Sequence, residues 1–281
     1  MNVIVELFKA VLYGIIEGIT EWLPVSSTGH MILFEEILPM NVSEDFWNVF
    51  LVVIQLGAIL AVVLLYWNKI FPFNFKNKNR PFIRYDIMNL WGKIIVACIP
   101  AAIVGLAFDD ILEKYLYNSF VVATMLVIVG LAFIFIENHN RHHRARVVKL
   151  HDLSYMDAFK IGMFQLIAAI FPGTSRSGAT ILGGLMIGVS RTIAAEFTFF
   201  LAIPVMFGAS LLKLLKFGLA FTGMELAILA IGMIVAFIVS IVVIRFLMSY
   251  IKQHDFKVFG YYRIILGVIV LICFFTGIIH I

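Results

Sequence analysis

Residues 17–30 read EGITEWLPVSSTGH, and this segment decides what kind of protein the chain encodes. It brings two carboxylates, three consecutive hydroxyls and a histidine into a chain of 281 residues that is 62% hydrophobic and only 14% charged. A soluble domain carries about 25% charged residues. The composition, with a mean hydropathy of +1.03, therefore predicts a polytopic membrane protein in which this polar segment is exceptional.

Net charge and cysteine content exclude other classes of protein. The net charge of +4 is modest, and membrane orientation explains it better than nucleic-acid binding does. We therefore expect no nucleic-acid partner. Cys98 and Cys273 both lie in apolar runs, which is typical of small core residues and not of a disulfide or a metal pair.

Six apolar segments approach the length of about 20 residues that a helix needs to cross a membrane. They are residues 46–67, 93–108, 119–136, 193–215, 225–248 and 260–279. Two further regions, 1–39 and 155–190, are interrupted at TEWLPVSSTG and at FPGTSRSG. Proline and glycine end helices, and serine or threonine caps the next one, so each region predicts two short helices joined at a break.

Basic residues predict how these segments are oriented in the membrane. We assign them to three loops: Lys69, Lys76, Lys78, Arg80, Arg84 and Lys93; Arg141, Arg144, Arg146 and Lys149; Arg245, Lys252, Lys257 and Arg263. The stretch 109–114 is treated as an acidic loop. The positive-inside rule places the basic loops in the cytoplasm, so an even number of crossings joins them. Region 155–190 then contributes zero or two crossings, and its short halves favour a re-entrant hairpin.

The two interrupted regions resemble each other and predict an internal repeat. GIIEGITEWLPVSSTGHMIL begins at residue 14, and GMFQLIAAIFPGTSRSGATIL begins at residue 162, an offset of 148 residues. The matched pairs are Gly14 with Gly162, Glu17 with Gln165, Pro24 with Pro172, Ser26 with Thr174, and Ser27 with Ser175. Three predicted spans follow each region, so the second half enters the membrane inverted, as in many transporters.

These patterns together predict an all-α polytopic membrane protein with an inverted-topology repeat. Residues 1–281 form a single membrane domain, with repeats at approximately 1–136 and 155–281. The domain has six spanning helices and two re-entrant helix hairpins, and the broken helices meet near the middle of the membrane.

The first break supplies acids, hydroxyls and a histidine. Glu17 and Glu21 are four residues apart and therefore share one helix face. Such a pair binds a divalent cation, or one carboxylate acts as a general base while the other orients it. A run of three hydroxyls, residues 26–28, exceeds what a helix cap needs, and a helix N-terminus favours anions. His30 follows one turn later, where it is a candidate acid or base.

The second break supplies positive charge. Residues 172–180 read PGTSRSGAT, and Arg176 lies among small hydroxyl residues with Gly173 and Gly178 close by. The guanidinium fork suits phosphate oxygens, and hydroxyls with backbone amides complete the cradle. If the two breaks meet, carboxylates, a nucleophile, a histidine and an anion clamp share one pocket. Those groups suit phosphoryl transfer or phosphate-ester hydrolysis.

EGITEWLPVSSTGH and PGTSRSGAT resemble the two signature motifs of the bacterial undecaprenyl-diphosphate phosphatase family, also known for bacitracin resistance. The resemblance covers essentially the whole chain, without departures in either motif. It implies hydrolysis of undecaprenyl diphosphate to undecaprenyl phosphate and inorganic phosphate in the bacterial cell (inner) membrane. This reaction recycles the lipid carrier for peptidoglycan, and it confers resistance because bacitracin sequesters the diphosphate lipid.

The resemblance also implies a role for individual residues. Glu21, Ser27, His30 and Arg176 are expected to be catalytic, and Glu17 with Glu21 would hold a divalent cation, magnesium or calcium. Substrate-binding positions are expected at Ser26, Thr28, Gly173, Thr174, Ser175, Ser177 and Thr180. The expected partners are the polyprenyl diphosphate substrate and membrane lipids. Whether a second copy of the chain completes a homodimer stays open. The aromatic stretch 197–200 would either line the prenyl chain or face lipid.

Two other functions stay open at this point. A lipid-phosphate transporter or flippase fits the inverted repeat, since a carrier can bind phosphate with the same groups. An intramembrane serine protease could use Ser27 and His30, although Arg176 and the acidic pair suit a peptide substrate poorly. Likewise, either Ser27 or a water molecule could attack phosphorus, with Glu21 or His30 taking the proton.

Overall fold

A computed structural model describes residues 3–75, 81–218 and 220–277, without the side chains at 109, 110 and 113. Within these residues the chain is helical, and two isolated bridges, Phe73–Ile83 and Val147–Val189, stand in place of strands. The helices are α1 (Val3–Thr20), α2 (Ser27–Ile37), α3 (Glu44–Ile70), α4 (Tyr85–Leu116), α5 (Ser119–Asn140), α6 (Tyr155–Ile170), α7 (Arg176–Met186), α8 (Arg191–Phe217), α9 (Gly223–Tyr250) and α10 (Lys257–Phe275), with a 3-10 turn at Leu150–Asp152. The prediction of an all-α protein is confirmed.

Six helices of the described chain are long and apolar enough to cross a membrane: α3, α4 over Tyr85–Phe108, α5, α8, α9 and α10. They coincide with the six predicted spans. The largest difference lies in α4, which begins before residue 93 and continues through the stretch 109–114 to Leu116. That stretch is therefore helical and not a loop. Each interrupted region forms a pair of shorter helices, α1 with α2 and α6 with α7.

Side chains at the loop ends begin several of the helices. Ser154 and Asp157 form a reciprocal capping box at α6, and Thr222 and Glu225 form another at α9. Ser190 caps α8 through the amide of residue 193. Each cap satisfies an amide that the helix leaves unpaired and contributes about 1 kcal/mol. These caps fix where the loops end and where α6, α8 and α9 begin.

The helices pack in the pattern that two equivalent halves would produce. Helix α1 of the first half packs against α9 of the second half, and the equivalent contact joins α6 of the second half to α4 of the first. Helices α3 and α8 occupy equivalent positions in the two halves and pack against each other, as do α5 and α10. A Cβ at Gly14 would lie 2.7 Å from the carbonyl oxygen of Gly232, and a Cβ at Gly162 would overlap the carbonyl of Ala97. Small residues at both places let the backbones approach. The inverted orientation of the halves and the re-entrant hairpins stay predictions.

Burial separates a lipid-facing surface from a packed core. Ile234, Ile238 and Val242 follow one another at four-residue spacing on α9 and are more than half exposed, as expected for a surface that faces lipid tails. By contrast, Phe197, Phe199 and Phe200 are completely buried. The expectation that the stretch 197–200 lines the prenyl chain or faces lipid is therefore wrong, because these rings fill the core around the second hairpin.

Five basic residues assigned to loops lie in helices instead: Lys69 and Lys257 at helix ends, and three others further inside. Lys93 belongs to α4, which begins at Tyr85 and so extends beyond the apolar run from which its loop was inferred. Arg245 and Arg263 belong to α9 and α10, and both already lay inside the predicted spans 225–248 and 260–279. Lys93 and Arg263 are buried, where backbone carbonyls replace water; Lys93 Nζ donates to the carbonyl of His151 at 3.3 Å. Three residues of the first predicted basic loop, Lys76, Lys78 and Arg80, lie outside the described residues. So do residues 1–2 and 278–281 at the ends of the two predicted repeats.

Candidate active site

The breaks after α1 and α6 end in the same local geometry. Ser26 and Ser175 are the N-caps of α2 and α7, and both adopt left-handed backbone conformations, with φ of 74° and 69°. Ser26 Oγ accepts the Gly29 amide at 3.4 Å, and Ser175 Oγ accepts the Gly178 amide at 3.1 Å. A left-handed residue other than glycine costs roughly 1–3 kcal/mol and is concentrated at functional sites.

This geometry sets a register between the tips that differs by one residue from the sequence match. The matched caps are Ser26 and Ser175, so Ser27 corresponds to Arg176 as the first residue of the next helix. The sequence alignment paired Ser26 with Thr174 and Ser27 with Ser175. The difference arises because the second break has one more residue between its proline and its cap.

Glu21 joins the two tips. Its Oε1 accepts from Arg176 Nη2 at 2.9 Å, and its Oε2 accepts from Ser27 Oγ at 3.1 Å. The Glu21 side chain is 7% exposed and that of Arg176 is 12% exposed. A hydrogen-bonded ion pair shielded from water is far stronger than an exposed one. The carboxylate that directly follows α1 thus holds the first residues of α2 and α7 together.

Hydroxyls of the second tip support Arg176. Ser177 Oγ donates to the Glu21 carbonyl at 3.0 Å, a second link between the tips, and lies 3.1 Å from Ser175 Oγ. Thr180 Oγ1 donates to the Arg176 carbonyl at 2.9 Å and lies 2.8 Å from Thr198 Oγ1. The carbonyl of this α8 threonine accepts Arg176 Nη1 at 2.8 Å. The guanidinium is therefore held between Glu21, directly after α1, and α8.

Arg263, on α10, donates hydrogen bonds to both tips. This side chain is completely buried, and its Nη1 donates to the Pro24 carbonyl at 3.2 Å. Its Nη2 donates to the carbonyls of Gly173 and Thr174 at 2.8 and 2.9 Å. One guanidinium thus satisfies carbonyls of both breaks, where the chain leaves its helical hydrogen bonding. Irregular backbone at membrane depth needs such partners.

His30 lies one turn into α2, and its two ring nitrogens have hydrogen-bond partners other than the proposed nucleophile. Its Nδ1 is 2.7 Å from the Ser26 carbonyl oxygen, and its Nε2 is 2.7 Å from the Tyr262 hydroxyl of α10. An imidazole nitrogen makes one such bond, so partners other than Ser27 occupy both ring nitrogens. Of the two alternatives for the base, Glu21 and His30, this geometry gives a hydrogen bond to Ser27 only for Glu21, and the catalytic role of His30 stays a prediction.

The remaining predicted residues also lie at the tips. Glu17 is 1% exposed, and its Oε1 has no hydrogen-bond partner among the described residues; the same holds for Thr174 Oγ1 and Arg176 Nε. Thr28, the second residue of α2, is half-buried, and Gly173 has a left-handed φ of 85°. Across the described ranges, no cluster of three or more His, Cys, Asp or Glu side chains is arranged around a metal position.

Known proteins share this chain almost end to end. The family model described as bacitracin resistance protein BacA matches residues 10–269. The chain belongs to this family. Among curated relatives, proteins named undecaprenyl-diphosphatase are 64% identical in Desulfitobacterium hafniense (96% of this chain, 97% of the relative) and 59% identical in Enterococcus faecalis (95% and 97%). A Clostridioides difficile relative named undecaprenyl-diphosphatase 1 is 52% identical, over 97% of each chain.

Membership of the BacA family agrees with the six membrane helices, and the chain is a multi-pass membrane protein. Three contacting residues at the tips were missed from the sequence: Thr198, Tyr262 and Arg263. A signal was present only for Arg263, because an arginine inside a predicted span marks a functional site by default. Thr198 and Tyr262 act through contacts with distant segments, and no local pattern indicates such contacts.

Proposed function

We propose that this chain hydrolyses undecaprenyl diphosphate to undecaprenyl phosphate and inorganic phosphate in the bacterial cell membrane. This activity recycles the lipid carrier for peptidoglycan synthesis and confers bacitracin resistance. The names of the relatives support the proposal. The observation that carries it is Glu21 held between Ser27 and Arg176, since a base, a hydroxyl and an anion-binding guanidinium then share one site.

The diphosphate binds at the joined tips. Helices α2 and α7 both begin there, and the N-terminus of a helix favours an anion through its free amides and its dipole. Arg176 Nε is buried without a partner in the described chain, so this donor is free for a phosphate oxygen. Ser175, Ser177 and Thr180 hold the backbone around Arg176, while Glu21 and the Thr198 carbonyl hold its guanidinium.

Ser27 is the nucleophile that the geometry favours. Its Oγ–H already donates to Glu21 Oε2, so the carboxylate takes this proton as Oγ forms a bond to the terminal phosphorus. The bond from phosphorus to the bridging oxygen breaks, and undecaprenyl phosphate leaves with that electron pair. Water then attacks the phosphoserine, releasing inorganic phosphate and restoring Ser27. In the alternative, Ser27 holds the phosphate and Glu21 activates water directly.

Glu17 and Glu21 fit a divalent cation. Carboxylate oxygens are the ligands that magnesium and calcium prefer, and Glu17 Oε1 is a buried acceptor with no partner in the described chain. Two carboxylates are enough where substrate phosphates and waters complete the coordination. Bound there, the cation would neutralise charge on the diphosphate. That activity requires this cation, and that the cation is magnesium or calcium, are proposals. That the chain forms a homodimer is a separate proposal.

A transporter on the same scaffold is the second candidate, and the names of the relatives do not favour it. The test is phosphate release from undecaprenyl diphosphate by purified protein in detergent, where there is no second compartment. Hydrolysis predicts release of inorganic phosphate with turnover, and loss of release in Arg176→Ala. A carrier or a protease predicts none, even when the lipid binds.

A further inference from the structure

Helix α10 places two consecutive side chains at the first tip, and only Arg263 is explained by the backbone it binds. The other is Tyr262, whose hydroxyl is 2.7 Å from His30 Nε2. The two ring planes are almost parallel, 6° apart, and the ring centroids are separated by 5.6 Å. The 2.7 Å separation is a short hydrogen-bond distance.

The two partners of His30 determine which nitrogen carries the proton. A carbonyl oxygen can only accept, so the contact with Ser26 places the hydrogen on Nδ1. The neutral ring then presents its lone pair at Nε2, and the Tyr262 hydroxyl donates to it. This tautomer is assigned from the hydrogen-bond network.

The contact with Ser26 links the imidazole to the nucleophile. In the second hairpin, the carbonyl of Ser175 accepts the Ala179 backbone amide at 2.9 Å, which is the regular first-turn bond. In the first hairpin, the corresponding carbonyl of Ser26 is bound by the His30 side chain at 2.7 Å. Ser26 has a left-handed φ of 74°, and Ser27 follows it directly. The His30 ring therefore fixes the orientation of the peptide that precedes Ser27.

We propose that Tyr262 is a positioning residue of the hydrolysis site. By holding His30 in its Nδ1–H form, it keeps the Ser26 carbonyl in place and directs Ser27 Oγ onto Glu21. His30 then acts chiefly by holding the backbone of the first tip in place, and not as the base. The inference rests on the proposed function.

The test is a double-mutant cycle with purified protein and undecaprenyl diphosphate in detergent. Tyr262→Phe removes only the hydroxyl, and we expect kcat to fall about ten-fold with KM within about two-fold, the scale of one lost hydrogen bond in a positioned network. Tyr261→Phe is the matched control, because its neighbouring ring is 55% exposed, and it should keep the wild-type rate. In a His30→Ala background, Tyr262→Phe should cause no further loss.

A second readout is independent of activity. Nitrogen-15 shifts of the His30 ring, identified by their loss in His30→Ala, should show the Nδ1–H tautomer in wild type and a mixture in Tyr262→Phe. The proposal is overturned if Tyr262→Phe keeps the wild-type kcat and tautomer, or if its loss multiplies with that of His30→Ala. If wild-type protein releases no phosphate, the proposed function itself fails, and that result is distinct from an active but insensitive Tyr262→Phe.

Discussion

Glu21 and Arg176 are 155 positions apart in the chain, yet Glu21 Oε1 accepts from Arg176 Nη2 at 2.9 Å. Each residue lies at a break between two short helices, so their contact turns two interrupted hairpins into one site. The same carboxylate binds Ser27 through its other oxygen, 3.1 Å away. Binding of the anion and activation of the nucleophile are thereby coupled through one side chain.

Arg176 should be sensitive to the shape of its side chain as well as to its charge. Its two terminal nitrogens bridge Glu21 and the Thr198 carbonyl, and a lysine cannot reproduce this fork. We expect kcat/KM to fall by at least about 100-fold in Arg176→Ala, the scale of one lost transition-state donor, and by less in Arg176→Lys. Arg245→Ala on α9, an exposed arginine, is the control. Equal activity of Arg176→Ala and wild type would exclude this residue from the site.

Ser27→Ala separates attack by the hydroxyl from attack by water. If Ser27 Oγ attacks phosphorus, the alanine variant loses at least about 1,000-fold in kcat, because no other group replaces a covalent nucleophile. If water attacks, a smaller loss with a raised KM is expected. Ser249→Ala, an exposed serine on α9, controls for general effects. Trapping of a phosphorylated protein in wild type and not in Ser27→Ala would support the covalent path.

Arg263 should matter for both stability and activity. Removing it leaves the carbonyls of Pro24, Gly173 and Thr174 without their buried donor. A lost hydrogen bond to a charged group costs about 1.5–3 kcal/mol, so Arg263→Met should lower the thermal unfolding midpoint in detergent and reduce phosphate release. Arg263→Lys should retain part of both. A wild-type midpoint and rate in Arg263→Met would show that the tips do not need this clamp.

Asp157, at the start of α6, predicts a pH-dependent contribution to stability. Burial raises the pKa of this carboxyl, but hydrogen bonds from Arg146 and Ser154 outweigh burial and hold the pKa below its usual value. The contribution is therefore present above the unfolded pKa of about 3.9 and is lost as pH falls through the folded pKa.

Asp157→Asn should accordingly lower the unfolding midpoint at pH 7, and the difference from wild type should shrink below about pH 3.9. Asp86→Asn is the comparison, because the pair of Asp86 with Arg84 is largely exposed and contributes little. A difference at Asp157 that stays constant with pH would contradict the role of its charge.

Much of the architecture could be predicted because membrane helices are determined by local composition. The run that became α9 carries no charged residue from Leu226 to Ile244, and the breaks at Pro24 and Pro172 are visible as helix-ending residues. The end of α4 could not be predicted in the same way, since charged residues at 109–114 are tolerated once a helix leaves the apolar layer.

At the site, the sequence indicated which residue types would meet but not their partners. Glu21, Ser27 and Arg176 stand out locally because polar residues are rare in apolar segments. The partner of His30 is different, since Tyr262 is 232 positions away, and only tertiary packing brings α10 against α2. The register of the two caps also depends on backbone dihedral angles that sequence matching does not determine.

The most direct test of the central claim is phosphate release from undecaprenyl diphosphate by purified wild type and Glu21→Gln, each with and without a chelator. The amide keeps the shape of Glu21 but removes the base and the charge that bind Ser27 and Arg176. We expect wild type to turn over and Glu21→Gln to lose at least about 100-fold in kcat. The exposed Glu36→Gln should remain active. Wild-type turnover by Glu21→Gln, or no phosphate release by wild type, would contradict the account.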